Sequence, residues 1–135
     1  MEQFNSNKYQ SVCAPDYLYQ TLTDFTRLEK LMPTEKIKNW QATESYCRFK
    51  VDGIGEMGLK IAEIAPTTSI KYIGDGKVPF DFYLTIQLEP NNIGTIVYAT
   101  CDANLNPLLK MMASPAIAKF LEILSTAIAE HQSGK

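Results

Sequence analysis

From residue 37 to residue 104 the chain alternates apolar and polar residues, and every connection inside that stretch is short. A parallel crossover needs about a dozen residues or more, so consecutive strands here must run antiparallel. Candidate strands are 37–43, 46–52, 57–64, 69–74, 80–89 and 93–104. The turns between them carry Asp52-Gly53, Ala65-Pro66, Gly74-Asp75-Gly76 and Glu89-Pro90-Asn91-Asn92. Alternation also assigns the faces. Phe80, Phe82, Leu84, Ile86 and Leu88 share one side of a strand, with Asp81, Thr85, Gln87 and Glu89 on the other. Cys47, Phe49 and Val51 alternate with Arg48, Lys50 and Asp52, and Met57, Leu59 and Ile61 with Gly58, Lys60 and Ala62. Val97, Ala99, Cys101, Ala103 and Leu105 make a face of smaller residues. One side of this sheet is apolar and needs a cover.

The C-terminus supplies it. Leu109, Met112, Ile117, Phe120, Leu121, Leu124 and Ile128 recur at helical spacing, with Lys119, Glu122, Thr126 and Glu130 opposite. Asn106-Pro107 and Ser114-Pro115 both read as a cap followed by a first-turn proline. The expectation is a short helix over 107–113 and a long one over 115–131, or one helix kinked at Pro115. Residues 2–12 suit a first, edge strand. Leu18, Leu22, Phe25, Leu28 and Met32 predict helix over 15–32, with a fresh start capped at Thr23-Asp24 and a stop at Pro33.

The totals limit what such a chain does. Its 135 residues suit one domain that needs neither metal nor disulfide to be stable. A net charge of -2 gives no footprint for nucleic acid or an anionic membrane, and Lys36/Lys38 is too small a basic patch. Cys13, Cys47 and Cys101 are dispersed and odd in number, which predicts buried reduced thiols. The first eight residues hold no apolar signal core, and no segment reads as the ~18 apolar residues of a membrane span. A cytoplasmic protein without stable membrane association is expected, with its oligomeric state unread.

The order strand, two small helices, six-stranded meander, long helix resembles the helix-grip fold of the START-like, or SRPBCC, superfamily. Leu31-Met32-Pro33, Ile37-Lys38-Asn39-Trp40-Gln41-Ala42-Thr43, Cys47-Arg48-Phe49, Pro79-Phe80-Asp81-Phe82 and Leu105-Asn106-Pro107-Leu108-Leu109-Lys110-Met111-Met112-Ala113 look like a small Bacteroidetes-type subgroup of it. The resemblance spans nearly the whole chain. It implies an α+β fold in which a seven-stranded curved antiparallel sheet is gripped by the long helix, with a cavity between them. The superfamily includes lipid carriers, hormone binders, polyketide cyclases, chaperone activators and oxygenase domains, so the fold does not settle the function.

The residues themselves say little for catalysis. Gly53-Ile54-Gly55-Glu56-Met57-Gly58 matches GxGxxG, but a dinucleotide site needs a helix next, and Leu59–Ile64 alternates as a strand. His131 is the single histidine, four residues from the end, with no Cys or His placed to join it on a metal. The His/His/carboxylate set of the oxygenase relatives is absent, and neither metal nor other cofactor is expected. Glu63 falls on the inward register, where an apolar surrounding would raise its pKa for acid–base work; the alternative is a strand end or bulge that leaves it at a wet rim. Tyr72, facing inward, is the other weak catalytic candidate and would want a hydrogen-bond partner. Trp40 suits either the roof of a pocket entrance or an anchor for the small helices.

The expected function is therefore binding of a small, mostly apolar molecule, a lipid or an aromatic metabolite, without chemistry. Sheet residues Phe49, Val51, Met57, Leu59, Ile61 and Tyr72, then Phe82, Leu84 and Val97, would line the site, with Leu109, Met112 and Phe120 from the helix. Two rival readings stand beside it: a cyclase- or hydrolase-like enzyme using Glu63 or Tyr72, and a chaperone-assisting or protein-interaction module. The second rival would show a collapsed core and an exposed apolar patch.

Overall fold

The computed structural model describes residues 1–32, 37–51, 54–75 and 80–131. Pro33, Lys36, Asp52, Gly53, Gly76 and Pro79, which entered the expectations above, lie outside the described residues. The elements are β1 (Glu2–Asn5), β2 (Tyr9–Ser11), α1 (Pro15–Leu22), α2 (Phe25–Leu28) running into a 3-10 turn at Glu29–Leu31, β3 (Ile37–Ala42), β4 (Tyr46–Val51), β5 (Gly55–Ala65), β6 (Ser69–Asp75), β7 (Phe82–Pro90), β8 (Thr95–Ala103) and α3 (Pro107–Glu130). All pairings are antiparallel, in the order β1-β8-β7-β6-β5-β4-β3, and β2 also pairs with β8.

Among the described residues the sheet thus has eight strands, one more than the seven expected, because the N-terminal strand breaks at residues 6–8. Ser6 occupies the break. Its N–H donates to the Ala99 carbonyl at 2.8 Å, and its Oγ accepts from Ala99 N–H at 2.9 Å and from Ser125 Oγ at 3.0 Å. Asn7 N–H donates to Glu122 at 2.9 Å, and the Tyr9 hydroxyl donates to the same carboxylate. The interruption therefore gives α3 polar anchors on the sheet edge, which an unbroken strand would not offer.

The small helices form as their caps dictate. Asp24 accepts from Thr26 N–H at 3.0 Å and separates α1 from α2. At the other end Asn106 accepts from Leu109 N–H at 2.8 Å and Pro107 takes the first turn, as their types require. The expected second start at Ser114-Pro115 does not occur: α3 runs unbroken through Pro115. Proline removes the N–H that would serve the Met111 carbonyl. Met111 is 78% exposed, so water can reach that end of the turn.

The core lies between the sheet and α3. Cys47, Phe49, Val51, Met57, Leu59, Ile70, Tyr72, Phe82, Leu84, Ile86, Leu88, Val97 and Ala99 are buried from the sheet. Ala113, Ile117, Phe120, Leu121, Leu124 and Ile128 meet them from α3. The expected helix stripe is corrected at its start: Met112 is 66% exposed and Leu109 half-buried, and Ala113 takes the inward place. By length and composition α3 is apolar enough to cross a membrane, with a mean hydropathy of 1.3, against the expectation that no segment would be. Its inward residues pack as part of the core.

Two bulges shift the faces. In β5, Ile61 opposes Tyr72 but Glu63 opposes Lys71, so Ala62 is an extra residue. The side-chain parity flips there, and Glu63 comes out exposed beside Lys71 instead of following Met57 and Leu59 inward. In β3, the register passes from Lys38 opposite Lys50 to Gln41 opposite Arg48, leaving Asn39 and Trp40 without ladder partners, and Asn39 takes φ 58°.

Candidate functional site: the apolar interior beneath the long helix

α1 and α2 close one end of the core under the sheet's curve. Leu22 and Leu28 from these helices, with Met32 and Ile37, meet Trp40, Phe49, Leu59, Tyr72, Leu84 and Ile86 from the sheet and Phe120 and Leu124 from α3. They enclose an unfilled space of about 10 Å³. A second space of about 10 Å³ lies among Ile54, Met57, Phe80, Phe82, Leu84, Cys101, Ile117, Phe120 and Leu121. Each has room for about one water and is lined almost wholly by apolar groups. Phe120 and Leu84 stand in both walls. The ligand-sized cavity implied by the resemblance is therefore filled by side chains at these two places.

The expected lining residues divide accordingly. Phe49, Leu59, Tyr72, Leu84 and Phe120 line the first space, and Met57, Phe82, Leu84 and Phe120 the second. Val51 and Val97 are buried, Ile61 and Leu109 half-buried, and Met112 faces out; none of these five lines either space. Leu22, Leu28 and Met32 were readable as an apolar helix face, but not as lining, because nothing local says how α1 and α2 fold over the sheet.

Tyr72 and Trp40 bring the polar groups of the first wall, and the Tyr72 hydroxyl is spoken for. It donates to the Leu22 carbonyl at 2.5 Å, at the end of α1 where no helical donor remains. The Tyr72 ring lies 5.5 Å from that of Phe25. Burial pushes the phenol well above its ordinary pKa, with the nearby Cys47 adding to the effect. Burial likewise pushes the thiols of Cys47 and Cys101 up from 9.0 to about 12. Their protonated form is the one the fold favours, so the stability they contribute is fully present below pH 9.0 and is lost as pH rises toward about 12. We expect native protein treated with iodoacetamide at mildly alkaline pH to remain unmodified at Cys47 and Cys101, and unfolded protein to be modified at both. Peptide mapping showing either thiol alkylated in the folded state would contradict that burial.

His131 ends α3 and is structural. Its Nε2 lies 2.7 Å from the Tyr17 hydroxyl, its ring stacks on Tyr17 at 5.7 Å, and its carbonyl accepts from Cys13 Sγ at 3.1 Å. Among the described residues no three His, Cys, Asp or Glu side chains converge as metal ligands. Open clefts also lie on the surface formed by the described residues. One, of about 350 Å³, is lined by Asn39, Trp40, Gln41, Arg48, Phe49, Lys50 and Glu56; another, of about 450 Å³, by Tyr17, Thr21, Arg27, Lys30, Leu31 and His131.

No protein-family model matches the chain, and no curated protein matches it. Solved structures do. A START superfamily protein from Mycobacterium smegmatis superposes with a TM-score of 0.66 at 12% identity, covering 93% of this chain and 96% of its own. This is the START-like, helix-grip fold. The START-like chain is also similar to the Aha1 dimer from Colwellia psychrerythraea, at 19% identity and a TM-score of 0.63, over 96% of this chain and 98% of that one. A protein from Thermus thermophilus matches at 14% identity and a TM-score of 0.68, over 96% of this chain and 95% of that one. Such low identities carry the START-like architecture and leave the ligand to be argued from the site.

Proposed function

We propose that this START-like chain binds a small, mostly apolar molecule between its sheet and α3, and does no chemistry on it. The observation that carries this reading is the pair of small apolar spaces beneath α3 that share Phe120 and Leu84 in their walls. Cavities for such ligands are lined by apolar groups with few polar ones, and this interior matches that character. The enzyme reading has less support. Glu63 is exposed beside Lys71, and the Tyr72 hydroxyl is buried against a backbone carbonyl with its proton firmly held. Three free, buried cysteines fit a reducing, cytoplasmic setting.

A panel of fatty acids, sterols and aromatic metabolites tests the proposal. At a concentration of 100 Kd a ligand stabilises the folded state by about 2.7 kcal/mol, which raises Tm by several degrees. If no compound moves the melting temperature and native mass spectrometry finds only unliganded protein, the reading fails.

Two observations favour a second reading, a protein-interaction module: side chains fill most of the interior, and an apolar patch lies exposed. Leu108, Met111 and Met112 are each at least 65% exposed on the first turns of α3. A neighbour of the same fold is described as a dimer, which makes self-association one form this interaction would take.

A further inference from the structure

Trp40 and Phe49 line both the first apolar space and the 350 Å³ cleft at the β3 edge. Their rings stack at 4.9 Å and 12°, and Phe49 stacks in turn on Phe120 at 6.0 Å. A row of three rings thus connects the surface cleft with α3. Trp40 lies in the β3 bulge, on the end strand of the sheet and without a ladder partner, so stacking is what holds it. The cleft around it is otherwise polar, with Arg48 paired to Glu56 at 3.3 Å and Asn39, Gln41 and Lys50 beside them.

The indole Nε1 of Trp40 is buried and, among the described residues, has no hydrogen-bond partner. A donor removed from water without an acceptor is costly, and a fold that keeps one calls for an explanation.

We propose that the Trp40–Phe49 pair is the entrance to the interior, and that Trp40 Nε1 donates to an oxygen on the bound molecule. The ligand class is then a compact apolar body carrying one ketone, ester or ether oxygen. This rests on the apolar-ligand reading above and narrows it.

Two probes of nearly the same shape separate the ideas: 2-acetylnaphthalene, which has a carbonyl oxygen, and 2-isopropenylnaphthalene, in which a methylene replaces it. Each is titrated into the full chain by calorimetry. Trp40 is the single tryptophan, so its emission reports on this site alone. The ketone should bind about tenfold more tightly than the hydrocarbon, the scale set by satisfying one buried donor, and should shift the Trp40 emission to the red. Trp40→Phe keeps an aromatic ring for the stack and loses the donor, so it should bind both probes at the hydrocarbon's affinity. Should that variant fail to fold, the comparison in the unmodified chain with its emission shift still decides. Equal affinities there, with emission unmoved, would overturn the donor role while leaving the apolar-ligand reading intact. Binding of neither probe would overturn the entrance and the ligand class proposed here, while the apolar-ligand reading itself fails only if the wider panel of fatty acids, sterols and aromatic metabolites fails.

Discussion

Phe120→Ala is expected to lower the unfolding free energy by about 3–5 kcal/mol, the usual cost of removing a buried aromatic ring. In a chain of this size that is a fall in Tm of about 10–20 °C. Phe120 is 4% exposed, stacks on Phe49, and forms part of the wall of both interior spaces. Its removal therefore does two things together. It takes away contacts between α3 and the sheet, and it opens an apolar cavity next to two spaces of about 10 Å³ that this ring lines. An enclosed cavity with such a lining stays dry and accepts small apolar guests. Benzene or indole should consequently restore part of the lost stability in Phe120→Ala and have little effect on the unmodified protein. Thermal unfolding with and without the guest checks both halves. A loss under about 1 kcal/mol would mean that the ring is not packed as described, since surface substitutions stay within about 0.5 kcal/mol.

The second large effect is expected from Tyr72→Phe. The ring remains, but the Leu22 carbonyl loses the hydroxyl that serves it at 2.5 Å. A buried acceptor left without a donor costs about 1–3 kcal/mol. Urea unfolding should show a lower midpoint and an unchanged slope, because the surface exposed on unfolding is the same. The pH dependence gives an independent check. The folded state raises the Tyr72 pKa above its ordinary 10.0, so this residue's contribution is complete below pH 10.0 and declines as pH rises past it. The gap between the unmodified protein and Tyr72→Phe should therefore narrow in strong alkali. A gap that widens there would contradict the buried, neutral phenol. Activity is not needed for either measurement, so both stand whatever the ligand proves to be.

These two residues also show how far the chain could be read without its structure. Phe120 falls on a helical stripe and Tyr72 on an alternating strand, and both periods placed them in the core. The partner of Tyr72 was not legible, because the Leu22 carbonyl is fifty residues away and belongs to the end of a different element. Glu63 was open to two readings, inward by alternation or at a wet rim through a bulge, and one extra residue at Ala62 decides for the rim, since a period of two is reversed by any single insertion. No residue type around Ile61-Ala62-Glu63 announces that bulge. Met112 was misplaced for a related reason: the stripe was drawn as though a helix began afresh at Pro115, and the continuous α3 puts Ala113 inward instead.

Apart from the break between β1 and β2 and the continuity of α3, the sequence by itself determined the elements, their antiparallel sense, and which side of the sheet is apolar. Those follow from local periods, cap residues and turn lengths, which act over a few residues. Only the tertiary structure decided how full the interior is. Volume left between a sheet and a helix depends on how closely the two approach and which rotamers interleave, and packing near crystal density makes that a property of all the facing side chains together. The same holds for Trp40: its residue type promised a polar handle on a large ring, and only the assembled fold left that handle buried with no partner among the described residues.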